Sequence, residues 1–296
     1  MSGEKYIRRL EAGDERQHML NEKYEVYEKQ GAPLGAVAFH HHSFYEIIYV
    51  LEGEYSSMVE GRTYNLHKGD FLLIDINVLH KYNYIEKKHD SSKRIILWIS
   101  DVMLEQLSEG EMDLTACFEN HENCVWHFPI YYEEMLRGYL LKLAMSGGME
   151  EELPGAKQVM DRGCLAMFFS YLNVLCSRKD YLSVSDTIEY HELVEKLSSY
   201  IDAHIEETIT VEDLAGQVHM SKYYFLRRFK ELTGLTAHTF VIQKRLILAC
   251  ELLRQGKSVR QVYQECGFSD YSSFLRNFKE NYDISPGKYA KDYHFL

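Results

Sequence analysis

Long apolar runs are missing from this sequence. The longest, such as Phe71-Leu-Leu-Ile74, fall far short of the roughly 20 residues a membrane-spanning helix needs, and Met1-Ser-Gly-Glu-Lys5 has no apolar core of a signal peptide. The default expectation is a cytoplasmic location with no membrane partner. Paired cysteines are missing as well. The six cysteines lie at 117, 124, 164, 176, 250 and 266 without a CxxC spacing, so they read as small buried hydrophobes in a reducing compartment. Cys117 and Cys124 are the pair that a redox or metal role would use, but no further ligand spacing accompanies them. There is no Ser/His/Asp or Cys/His arrangement and no phosphate-cradling glycine loop, so no enzymatic activity is expected.

An excess of positive charge is also absent, since the net charge is −12. That balance at first argues against nucleic acid, but it is unevenly placed. From His191 onward 14 Lys/Arg meet 14 Asp/Glu, which leaves 19 of the 33 Lys/Arg against 31 of the 45 Asp/Glu in the first 190 residues. For DNA, what matters is whether cations cluster on one face. A length of 296 residues suffices for two domains, each with its own core.

What is present, twice, is a seven-residue pattern: Phe225-Leu226-Arg227-Arg228-Phe229-Lys230-Glu231 and Phe274-Leu275-Arg276-Asn277-Phe278-Lys279-Glu280. Each copy joins an i, i+4 aromatic pair that can bury itself to basic residues on the rest of the same helix. Upstream of the first, Thr210-Val-Glu-Asp213 reads as a capped start of a short helix, His219-Met220 as a turn, and Ser221 as the cap of a helix from Lys222 to Leu232 ending before Gly234. Upstream of the second, Ser258-Val-Arg-Gln261 is a capping box, Gly267 a turn, and Ser269 or Asp270 the cap of a helix reaching Tyr282. Between the units, Thr236 to Arg254 reads as one continuous helix. At 1.5 Å per residue it spans roughly 28 Å, close to the ~34 Å between successive major-groove entries on one DNA face.

With Phe225, Phe229, Phe274 and Phe278 turned inward, Ser221, Lys222, Tyr223, Arg227 and Lys230 of the first unit and Tyr271, Ser272, Ser273, Arg276 and Lys279 of the second are the expected DNA-contacting residues. Arg227 and Arg276 suit bidentate guanine contacts. The first unit, with Lys222 and Arg228, is expected to supply more of the electrostatic affinity than the second, which has Asp270 and Asn277.

Residues 191–296 resemble the double helix-turn-helix domain of the AraC/XylS family of bacterial transcription regulators. The motifs that carry the resemblance are Val211-Glu-Asp-Leu-Ala215, Ser221 through Lys230, Gly267-Phe-Ser-Asp-Tyr271, Phe274 through Lys279, and the closing turn Ser285-Pro-Gly-Lys-Tyr289. The resemblance implies binding to double-stranded promoter DNA and control of transcription, usually activation, with RNA polymerase as a further partner of an activator.

Between about Ala36 and Ser100 the pattern changes to short β-rich runs: Glu46–Leu51, Glu54–Val59, Phe71–Asp75 and Arg94–Ile99, punctuated by Gly53, Gly61 and Gly69. This spacing suits a small antiparallel barrel or jelly roll. His40-x-His42-x3-Glu46, followed by His80, resembles the two cupin motifs, whose three histidines and one glutamate hold a divalent metal. Residues 40, 42 and 46 share strand parity, so an extended segment points them to one face. Asp75 and Asn77 stand where the second cupin motif has proline and glycine. Family members with such barrels commonly keep a histidine-rich start before Phe-Tyr-Glu, as in His41-His-Ser-Phe-Tyr-Glu46, without requiring a metal. His40, His42, Glu46, His80 and Trp98 are therefore candidates for a small-molecule effector, a carbohydrate being the family's commonest. The alternative makes His40, His42, Glu46 and His80 ligands of a metal sensor or a metal-dependent cupin enzyme. Tyr49 and Trp98 are candidate stacking surfaces.

Tyr131–Met145 and Gln158–Ser177 read as an amphipathic helical pair, the second with one apolar stripe through Met160, Cys164, Met167, Phe168, Tyr171, Leu172 and Leu175. In this family such helices often pair across a homodimer. The expected fold class is α+β with two domains. Residues 1–180 form a cupin-like antiparallel β-barrel (about 20–130) with a helical pair (about 131–179), 181–190 a linker, and 191–296 an all-α double helix-turn-helix.

Overall fold

The computed structural model describes residues 9–10, 18–31, 38–82, 92–119, 124–146, 155–178, 181, 189–190 and 192–294. Two sheets stack in the N-terminal half. The larger is ordered β1 (Arg9–Leu10), β2 (Tyr24–Gln30), β8 (Lys93–Ile99), β3 (Tyr45–Glu52), β6 (Asp70–Ile74), β9 (Val125–His127). The smaller is ordered β10 (Glu189–Tyr190), β5 (Arg62–His67), β4 (Glu54–Val59), β7 (His80–Tyr82). All pairings are antiparallel except β1 on β2. Most of the segment read as a linker lies outside the described residues, but its end, β10, pairs with β5.

The central strands are apolar on both faces because both are covered. On β3 and β8 the odd residues Ile47, Tyr49, Ile95 and Leu97 face a helical layer, whereas the even residues Ile48, Val50, Ile96 and Trp98 face the space between the sheets. The helical layer comprises α1 (Asp101–Ser108), α2 (Ile130–Met145) and α3 (Ala156–Cys176). Leu165, Phe168, Phe169, Leu172 and Leu175 of α3 pack with Leu136 and Leu140 of α2 against the larger sheet. The single apolar stripe expected on α3 is in fact two. Phe168, Leu172 and Leu175 are buried, but Met160, Met167, Tyr171 and Val174 stay 38–48% exposed on a neighbouring face. By length and composition α3 could also cross a membrane, but its buried face is committed to this sheet.

The C-terminal half contains α4 (Glu192–Ala203), α5 (Val211–Gln217), α6 (Lys222–Thr233), α7 (Ala237–Arg254), α8 (Val259–Glu265), α9 (Tyr271–Tyr282) and α10 (Pro286–His294). The expected capping box of Ser258 with Gln261 forms, and the capped start at Thr210 is also a full capping box with Asp213. Asp270 rather than Ser269 caps α9, accepting from Ser273 N–H at 2.7 Å. Ser221 has cap-like backbone angles, but its side chain makes no capping hydrogen bond. Gly234 ends α6 in the left-handed region with φ +76°, and a Cβ there would lie 2.8 Å from Ala38 Cα. Only glycine satisfies both constraints.

Candidate functional site

The two repeats occupy α6 and α9. Phe225 and Phe229 are buried with Phe240 and Leu214, and Phe274 and Phe278 with Val262, Phe268 and Tyr289. The opposite faces point outward. Ser221, Lys222, Tyr223, Arg227, Lys230, Tyr271, Ser272, Arg276 and Lys279 are exposed, Tyr223 to 85%, and Ser273 is partly covered. Arg227 lies over the Tyr224 ring, 5.7 Å from its centroid.

The charge difference between the units is smaller than composition implied. Lys222 pairs with Glu212 of α5 at 2.5 Å, and Arg227 and Arg228 stand 3.7 and 3.9 Å from Glu231. These exposed pairs are weak enough to exchange for phosphate, yet they reduce the free charge. Asn277 turns back on its own helix, donating to Ser273 O at 2.8 Å.

In the N-terminal half three of the histidine/glutamate candidates converge. His42, Glu46 and His80 are buried, with one ligand atom of each within 4.8 Å of the others. Glu46 Oε2 is 3.5 Å from His42 Nε2 and 3.2 Å from His80 Nε2, while Trp98 Nε1–H donates to Glu46 Oε1 at 2.8 Å. His40 stands beside this trio rather than in it, its ring centroid 4.3 Å from that of His80. Burial lowers the pKa of His42. Burial also holds His40 well below the ordinary imidazole range, with His80 and His42 adding to the effect. For Glu46 burial acts upward, but the neighbouring His42 and His80 rings outweigh it and hold the carboxyl well below its usual range.

Neither aromatic candidate offers a stacking face. Trp98 is 4% exposed, with Tyr27 and Phe44 against it at centroid distances of 5.1 and 4.9 Å, and it joins the cluster through Nε1. Tyr49 has the opposite parity, faces the helical layer and donates from its hydroxyl to Glu133 of α2. Cys117 and Cys124 belong to separate cores on the two sides of the larger sheet and form no pair. Burial pushes the Cys124 thiol up to about 12.

The histidine segment also reaches the C-terminal half. Phe39 N–H donates to Thr233 O, the last residue of α6, at 2.9 Å, and its ring is buried with Phe225, Phe229 and Phe240. His41 packs on Tyr282, the last residue of α9, with centroids 5.5 Å apart and Nδ1 3.3 Å from the tyrosine hydroxyl. That hydroxyl donates to Asn77 Oδ1 at 3.4 Å. Lys81 Nζ donates to Leu232 O, and Gln243 Nε2 of α7 to Phe39 O at 3.4 Å. The even parity of 40, 42 and 46 marks the cluster and leaves Phe39, His41, Asn77 and Tyr282 unmarked. An apolar Phe39 opposite in parity to two histidines was the available signal. Beside this contact a cleft of about 650 Å³ opens between the sheets and α4 and α7, lined by Asp75, Asn77, Lys244, Glu251 and Arg254 among others.

Two family models match the chain: an AraC-like ligand binding domain over residues 22–104 and a helix-turn-helix domain over residues 214–292. The chain belongs to the AraC/XylS family. It is a DNA-binding transcription regulator with an N-terminal ligand-binding domain. Among its relatives, the probable transcriptional regulator LumQ of Photobacterium leiognathi is 28% identical over 85% of this chain and 91% of its own. The transcriptional activator RhaS of Salmonella arizonae is 24% identical over 86% of this chain and 87% of its own. Among solved structures, ToxT from Vibrio cholerae aligns over 93% of this chain and 98% of its own, at 14% identity and a TM-score of 0.39.

Proposed function

We propose that this family member is an effector-responsive activator that binds promoter DNA as a homodimer, with α6 and α9 as the helices that enter the major groove. Arg227 and Arg276 read guanine, Tyr223 and Tyr271 make base or thymine-methyl contacts, and Lys222, Lys230 and Lys279 hold phosphates, with Ser221, Ser272 and Ser273 at the helix starts. The observation that carries this reading is the pairing of buried Phe225/Phe229 and Phe274/Phe278 with outward faces exposed at nearly all the candidate positions. The 18-residue α7 between the units is about 27 Å long at the standard rise, a spacing suited to neighbouring groove entries.

The effector is a small polar molecule, a sugar being one that matches the carboxylates, amide and cations lining the cleft beside α4 and α7. Its control over DNA binding requires unequal affinity for two arrangements of the domains, and the cleft has walls from both. The division into an effector domain through residue 180, a linker over 181–190 and a DNA-binding domain from 191 suits that control. The exposed stripe Met160, Met167, Tyr171 and Val174 on α3, spaced i, i+7, i+11, i+14, supports the homodimer. As an activator the protein would also engage RNA polymerase, and a cytoplasmic location suits that partner. A regulatory rather than catalytic role accords with relatives that are transcription regulators.

The test is selection of sites from a random DNA pool by the full-length protein. Enrichment of a motif in which each protomer accounts for two elements about one helical turn apart supports the reading; a pool that stays random contradicts it.

A further inference from the structure

Three buried side-chain atoms of the kind that bind metals, two imidazole nitrogens and a carboxylate oxygen, meet in the N-terminal domain. His42 Nδ1–H donates to Phe44 O at 2.7 Å and His80 Nδ1–H to Val78 O at 2.9 Å; a carbonyl oxygen only accepts, so each proton sits on Nδ1. Each Nε2 then faces Glu46 Oε2, and both Nε2 atoms are buried without a hydrogen-bond partner. Buried polar atoms so placed need a partner, and a cation among the three supplies it to all of them. The separations fit one. Two donors bonded at about 2.1 Å to a tetrahedral ion stand ~3.4 Å apart, against the observed 3.5 and 3.2 Å. Backbone carbonyls that fix each imidazole, and Trp98 Nε1–H on the other carboxylate oxygen, are the outer partners that orient metal ligands.

We infer that His42, Glu46 and His80 bind a divalent first-row transition-metal ion, and that its presence is read by both DNA-contacting helices through the strap of residues 38–42. Imidazole nitrogens with one carboxylate suit zinc, iron, nickel or manganese rather than calcium or magnesium. The strap provides the reading. Along it side chains alternate: His40 and His42 turn toward the cluster, while Phe39 and His41 meet the C-terminal residues of α6 and α9. Backbone bonds couple the strap to the other side of the site, His40 and His80 exchanging N–H···O bonds at 3.0 and 2.9 Å and Asn77 N–H donating to His42 O at 2.8 Å. A metal that draws His42 and His80 onto Glu46 therefore fixes where Phe39 and His41 stand. The control half of the inference rests on the DNA-binding reading above; the metal half does not.

The test uses full-length protein made without a histidine tag, stripped by chelator and titrated with Co2+. One equivalent bound with visible d–d absorption is expected in wild type and in a surface control, His67→Gln. The absorption should be lost in His42→Gln and Glu46→Gln. Less than half an equivalent bound by wild type, or a spectrum that both site variants retain, overturns the metal site, and the wild-type stoichiometry decides even where a variant fails to fold. Affinity for a selected DNA site should differ at least several-fold between stripped and Co2+-loaded wild type. Phe39→Ala should keep the absorption and lose that difference. Equal affinities in the two wild-type forms overturn the control. A protein that binds Co2+ but selects no DNA contradicts the proposed function and leaves the metal site standing.

Discussion

At the scale of single residues, Arg227 and Arg276 carry the sharpest expectation. Each is exposed on its outward face, so truncation should leave the fold intact and weaken binding by about 1–3 kcal/mol, roughly 5- to 150-fold, with relaxed preference at one base pair. Fluorescence anisotropy on selected DNA checks both. Lys230→Ala should act differently, weakening all sequences alike and lowering the slope of log affinity against log salt by about 1. Gly234 is a residue of the fold rather than of the DNA face. Its φ of +76° and the closeness of Ala38 predict that Gly234→Ala costs more than about 1 kcal/mol, read as a lower midpoint in thermal or urea unfolding.

At the scale of elements, α3 separates two kinds of apolar surface. Its inner face holds the larger sheet, whereas Met160 and Met167 on the outer face contribute little to the single chain. Met160→Glu with Met167→Glu should turn a dimer into a monomer in light scattering while the unfolding midpoint of the monomer holds. The capping boxes are elements of stability. Ser258→Ala should cost about 1 kcal/mol, because it frees the Gln261 N–H and the start of α8. Elements with strong local signals were legible in the sequence: β4 and the helices α5 to α9 lie within a residue or so of their expected bounds. Those that tertiary pairing creates were not. Arg62–His67 is a strand because β4 and β10 flank it, and Tyr24–Gln30 because β8 pairs along its length. The two-faced α3 was read as one stripe because Met, Tyr and Phe look alike in a periodicity count.

At the scale of the whole molecule, the half-chain split in charge and the double repeat were readable; His42 and Glu46 do converge, but across a bend at Ser43–Phe44 that shared strand parity does not describe. The joining of the halves was not readable. Phe39, Met58 and Leu79 from the N-terminal half share one core with Val194, Leu197 and Phe225, a contact between distant segments with no local pattern. This shared core makes the position of α6 depend on the N-terminal domain, the physical requirement for control of DNA binding by a ligand. The expectation that the first unit dominates electrostatically is moderated by Glu212 and Glu231, which already pair with its cations. The central claim is that both units read DNA together, and footprinting of the full-length protein on a selected site tests it most directly. Each protomer of the wild type should protect two segments about one helical turn apart, with Arg227→Ala weakening protection of one and Arg276→Ala of the other. Protection of both segments unchanged in the two variants would contradict the account.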